Sequence, residues 1–276
     1  MFEERYKLMY HTFLEIAQSL GHSNEHAADL IRMLPKELKE LYSAKAHETQ
    51  ELIYSFGSPI DRLPYSGMVF GGQQMVPVSA LYQALHWARK TLSGQFLTDF
   101  IYKLGRPEKH LSSLFEFRPL FFVEPVETPL YEVPGNKGKT IDWQIVSTSH
   151  VYRVEVKVRS GTVVKNMENI LARVEHPERP MPLPPTDPVE FFKSIEEKFT
   201  PSGDERVLDG CWVFTGSCES KRVVDDYFQH VMDPGLVKFC IISTWDKKAS
   251  LLARAEIDAD ELSSFFHVDF GGHYFY

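Results

Sequence analysis

Two alternating segments, IDWQIV (141–146) and VYRVEVKVR (151–159), are separated by STSH (147–150), and they constrain this chain more than any other feature. Successive side chains of a strand point to opposite faces, so alternating apolar and polar residues mark strands with one buried face. With STSH as a hairpin loop, Val146 faces Val151. Ile141–Val156, Trp143–Val154 and Ile145–Tyr152 then share one side. Thr140–Lys157, Asp142–Glu155 and Gln144–Arg153 share the other. A slip of one residue would mix the two sets, so the register is strongly specified.

The polar side carries an anomaly. Asp142 and Glu155 face each other, and like charges in that position destabilise a hairpin by up to ~1 kcal/mol. A divalent cation between them converts repulsion into coordination, because hard cations take carboxylate oxygens. Lys157 lies two residues beyond Glu155 and so on the same face. There it can lower the pKa of a metal-bound water or steady a phosphate. The plainer alternative is a solvent-facing strand on which Arg153 and Lys157 form ordinary surface pairs with Glu155.

The elements around the hairpin set the fold class. Helical spacing runs through residues 1–20, 22–34 (from a Ser23-Asn24 cap signal to Pro35), 36–56, 78–92 and 95–104. A short helix is expected at 107–117, with Pro107 at its start. Strands follow at 130–133, 140–146 and 151–159, then a proline-rich stretch and a helix at 188–199. Buried strands at 207–215 and 236–244 flank a helix at 221–232. Residues 251–276 show no clear pattern. A hairpin combined with strand–helix–strand units predicts an α/β fold, a mixed β-sheet flanked by helices. The expected division is a helical accessory region over 1–106 and a core over 107–276.

Asp142, a gap of twelve residues, and then Glu155-Val156-Lys157 resembles the PD-(D/E)XK nuclease superfamily, which has the restriction-endonuclease-like fold. That family's αβββαβ core matches the predicted order from Pro107, and the resemblance covers residues 107–245. Ile141 stands where the family often has proline. The resemblance implies a metal-dependent nuclease in which Mg²⁺, or Mn²⁺ in its place, is held by Asp142, Glu155 and the Val156 carbonyl. Lys157 would assist the attacking water or the phosphorus. It also implies an acid from the first core helix. Glu108 and Glu116 are there, and the string HLSSLFEF (110–117) favours Glu116, with an ordinary surface glutamate as the alternative. DNA is the expected substrate before RNA, and cutting both strands would favour a homodimer. The same fold with a degenerate site, binding nucleic acid or a protein partner, is the rival reading. A regulatory or immunity-type protein partner is a third.

Charge bears on this choice. A net charge of −8 argues against a protein that coats nucleic acid without selectivity. Between residues 128 and 165, however, six bases meet three acids. Lys139, Arg153 and Arg159 of this basic strip are candidate phosphate contacts. Lys221 and Arg222, at the start of the helix expected over 221–232, are two more. Gly138-Lys139-Thr140 looks like the end of a phosphate-binding loop, but Val133 replaces the first glycine and a strand follows instead of a helix. His267, Asp269 and His273 lack a metal-binding spacing. Cys211, Cys218 and Cys240 match no zinc pattern and read as buried thiols. No segment has the ~18 apolar residues of a membrane span, and the charged N-terminus suggests a cytoplasmic protein.

Overall fold

In the computed structural model, the described residues are 7–36, 39, 51–53, 75–105, 107–158, 188–214, 236–243 and 248–275. The chain divides into two units, Met1–Phe121 and Phe122–Tyr276. No helix among the described residues is long and apolar enough to cross a membrane.

The first unit is mainly helical. It contains α1 (Lys7–Ser19), α2 (Asn24–Met33), α3 (Val78–Thr91), α4 (Gly94–Leu104) and α5 (Pro107–Phe115). Helix α2 starts where the Ser23 hydroxyl accepts a hydrogen bond from the His26 N–H at 3.2 Å, satisfying an otherwise unpaired first-turn donor. Its apolar stripe (Ala27, Leu30, Ile31) is buried, as are Phe13 and Ala17 of α1 and Leu81, Ala84 and Leu85 of α3. Phe13 meets Tyr82 edge-on, with centroids 5.3 Å apart.

Two expectations change in this unit. Residues 51–53, expected to be helical, form strand β1 (Glu51–Ile53), paired antiparallel with β2 (Met75–Pro77). A partner distant in sequence outweighs local helical spacing there. The second concerns α5, expected to open the core, which groups instead with the first unit. The rest of the 36–56 helix lies almost wholly outside the described residues.

The second unit is built on a mixed sheet. Among the described residues its seven strands lie side by side in sequence order. They are β3 (Leu130–Pro134), β4 (Thr140–Val146), β5 (Val151–Val158), β6 (Val207–Phe214), β7 (Phe239–Ser243), β8 (Lys248–Ala253) and β9 (Asp269–Phe275). Strands β3, β4 and β5 pair antiparallel, β5–β6 and β6–β7 parallel, β7–β8 antiparallel and β8–β9 parallel. The unpatterned C-terminal segment therefore supplies two strands and a helix. The helix expected at 221–232 lies outside the described residues.

Parallel neighbours need crossovers, and right-handed crossovers choose the face of the sheet. Helix α6 (Pro188–Glu196) lies between β5 and β6, and α7 (Ala259–Phe266) between β8 and β9. Both crossings advance the sheet in the same direction, but β8 runs opposite to β5, so the helices fall on opposite faces. Packing agrees with this. Phe192, Ile195 and Phe199 cluster with Cys211, Val213, Cys240 and Ile242. On the other face Phe266 of α7 packs on Tyr152, Trp212 and Phe239. Cys211 and Cys240 are buried free thiols opposite each other on neighbouring strands. Their mutual hydrogen bond, with burial, pushes Cys211 well above the usual thiol range.

Candidate functional site

From Val146–Val151 through Ile145–Tyr152 and Gln144–Arg153 to Trp143–Val154 the hairpin register is the one the alternation predicts. The expected pairs Asp142–Glu155, Ile141–Val156 and Thr140–Lys157 do not continue that ladder, and Ile141 packs with the α6 cluster instead of on the Trp143 face. At the next step a side chain joins the two strands. One carboxylate oxygen of Asp142, Oδ2, accepts a hydrogen bond from the Val156 backbone N–H at 2.7 Å. Asp142 thus reaches β5 immediately beyond Glu155.

The polar face of β5 is not a solvent-facing surface. In the parallel ladder Arg153, Glu155 and Lys157 stand opposite Asp209, Cys211 and Val213. They therefore lie on the face covered by α6 and the turn that follows it. Glu155 is fully buried, with 0% of its side chain exposed. Its Oε1 lies 2.6 Å from the Lys157 ammonium and 2.5 Å from that of Lys198. Neither contact has hydrogen-bond geometry, and among the described residues Oε2 has no hydrogen-bond partner. An ammonium rotates freely about its last bond, so either lysine can turn a proton toward Oε1. That leaves Oε2 as the unpartnered atom.

Lys157 and Lys198 are 30% and 20% exposed, so this is a half-buried charge cluster at the edge of the core. Burial acts to lower Lys157, but the Glu155 and Asp142 carboxylates outweigh it. Lys157 therefore remains an ammonium above the usual lysine range.

Lys198 was not among the expected site residues. It lies just past α6, and its position comes from packing with the turn between β3 and β4. The Asn136 N–H donates to the Lys198 carbonyl at 2.8 Å. Gly135 makes room for this approach, because a Cβ there would sit 2.4 Å from the same carbonyl. No motif announces such a residue. The one available hint was a lysine at the end of a helix that must cross from β5 to β6.

The remaining expected residues fall in several places. Arg153, expected at a phosphate, is committed inside the protein. Its guanidinium makes two 2.6 Å contacts to the Asp209 carboxylate and donates to the Thr200 carbonyl at 2.9 Å. Burial pushes the Asp209 carboxyl up, and Arg153 opposes this only in part. Lys139 is exposed beside Glu197 at 2.8 Å. Such a surface pair contributes little to stability and leaves Lys139 open to solvent. Glu116 is half-buried in the turn after α5, in the first unit, where its N–H bonds to the Ser112 carbonyl at 3.0 Å. Arg159, Lys221 and Arg222 lie outside the described residues, as do the side chains of Glu108 and His273.

No family model, no curated protein and no solved structure matches the chain. The site is read from its own chemistry.

Two carboxylates, two ammoniums and a buried oxygen without a partner suit a specific chemistry. The acids supply hard oxygen ligands for a divalent cation, and Glu155 Oε2 is an oxygen free to take one. The residues present therefore fit Mg²⁺ or Mn²⁺. The lysines fit the opposite need, an anion next to that cation.

Proposed function

We propose that the second unit is a metal-dependent phosphodiesterase acting on nucleic acid, DNA before RNA. The observation that carries this reading is the buried Glu155, whose Oε2 has no hydrogen-bond partner among the described residues while two lysines converge on Oε1. Burying a carboxylate is costly unless its charge and lone pairs are satisfied. A cation at Oε2 would complete that satisfaction.

In this reading Asp142 and Glu155 hold Mg²⁺ or Mn²⁺, with the Val156 carbonyl as a third oxygen. When bound, the ion supplies Lewis acidity toward water and phosphate. Lys157, held protonated by its neighbours, stabilises the charge that builds on the phosphate and does not act as a general base. Lys198 balances Glu155 from the other side and adds a second positive group. Lys139, on the exposed rim, contacts a neighbouring backbone phosphate. The strand order also favours the restriction-endonuclease-like core. Three antiparallel strands lead, through a helix, to a parallel fourth strand.

A second reading, binding without cleavage, draws on the Asp142–Val156 hydrogen bond, which occupies an oxygen that a metal would need. One experiment separates the two. The purified full chain should nick supercoiled plasmid with Mg²⁺ or Mn²⁺ and stop with EDTA. Asp142→Ala and Lys157→Ala should each lose at least ~100-fold in rate, the size of effect seen when one charge-stabilising group is removed. Both variants should keep their circular dichroism spectrum. If no DNA or RNA is cut with any divalent metal, but gel shifts persist, the binding reading replaces the enzyme.

A further inference from the structure

A second cluster lies entirely within the first unit. His22 sits in the turn before α2, His26 in the first turn of α2, and His86 within α3. Each offers a ring nitrogen, and these atoms all lie within 4.8 Å of one another. His26 Nε2 is 2.9 Å from His86 Nδ1. The His22 ring stacks on His86 at a centroid distance of 4.4 Å and an angle of 15°. His22 Nδ1 is also 2.9 Å from the hydroxyl of the buried Tyr82, one helical turn before His86.

We propose that His22, His26 and His86 form a Zn²⁺ site that ties the start of α2 to α3 and leaves one coordination position for water or an exogenous ligand.

Three observations carry this. Three imidazoles from two helices and a turn converge on one point, whereas histidines that merely fill a core seldom bring three ring nitrogens together. Tetrahedral nitrogen ligands at ~2.0–2.1 Å from zinc are ~3.3 Å apart. The ring nitrogens already lie within 4.8 Å of one another, and the rings must turn for all three to reach that spacing. The Tyr82 hydroxyl binds one nitrogen of His22 and so fixes which nitrogen is left for a metal, the usual role of a partner behind a ligating histidine.

Nitrogen donors select zinc over magnesium, so this site is chemically distinct from the oxygen-rich one in the second unit. Arg89 and Lys90 beside it are partly engaged elsewhere. Arg89 contacts Asp29 at 2.7 Å, and Lys90 lies over the Trp87 ring at 4.6 Å.

The test uses the full chain without an affinity tag, stripped with a chelator and titrated with Zn²⁺ against a chromophoric competitor. The expected result is one Zn²⁺ per chain, undiminished by excess Mg²⁺, and a tetrahedral Co²⁺ absorption spectrum on replacement. His22→Gln, in a turn and least able to disturb folding, and His86→Gln should each weaken binding at least ~100-fold. Tyr82→Phe should weaken it ~10-fold, within the range for such supporting partners. His150→Gln and His267→Gln should change nothing. Substoichiometric zinc in the wild-type chain, or unchanged affinity in folded His22→Gln, would overturn the proposal.

Discussion

Glu155 has two lysines on one carboxylate oxygen and, among the described residues, no hydrogen bond on the other. Removing one partner of a buried ion pair costs about 3–5 kcal/mol. Here that is an upper bound, because Lys157 and Lys198 retain some contact with water. Glu155→Gln should therefore leave the protein folded, with a modestly lower urea midpoint, while plasmid cleavage falls at least ~100-fold. Lys198→Met separates the two lysines. If Lys198 contacts substrate phosphate, its loss should raise KM as well as lower kcat. A change confined to the urea midpoint would make it a structural counter-charge and no more.

At the scale of elements, the parallel β5–β6–β7 block positions the site, and one glycine sets how closely it packs. A Cβ at Gly210 of β6 would come within 2.2 Å of the Phe239 ring on β7. Phe239 is itself enclosed by Tyr152 and Phe266, so the ring has little room to yield. Gly210→Ala should then cost about 1–3 kcal/mol, as overpacking a dense core does, measured as a drop in the urea midpoint at unchanged slope. Overpacking is read on the α7 face, opposite Glu155, so a folded Gly210→Ala protein should keep most of its cleavage activity. Next to the loop, from Val146–Val151 to Trp143–Val154, the hairpin's register was legible from sequence because alternation and a short loop leave one solution. The covering of its polar face was not legible. It depends on α6 crossing that side of the sheet, and the side a right-handed crossover takes depends on which strands pair and in what order, which is settled only in three dimensions.

At the scale of the molecule, the residues proposed for phosphodiester cleavage lie in Phe122–Tyr276, and the histidine cluster lies in Met1–Phe121. Residues 122–276 expressed alone should unfold cooperatively and retain Mg²⁺-dependent nicking, checked by urea denaturation and the plasmid assay. A folded fragment that no longer cuts would show that the first unit supplies an essential group, with Glu116 the first to mutate. The same fragment should take up no stoichiometric zinc.

Local rules in the sequence determined the β4–β5 hairpin, its register as far as Trp143–Val154, and most helix starts. Side-chain periodicity, caps and prolines act within a few residues of themselves. Tertiary structure alone decided the rest. It brought Lys198 to Glu155 through the Gly135 turn, drew Arg153 away from solvent to Asp209, turned residues 51–53 into a strand, and gathered three histidines from separate segments. Each of these depends on contacts between residues far apart in the chain. Periodicity has no reach over such distances, and only the folded backbone fixes them.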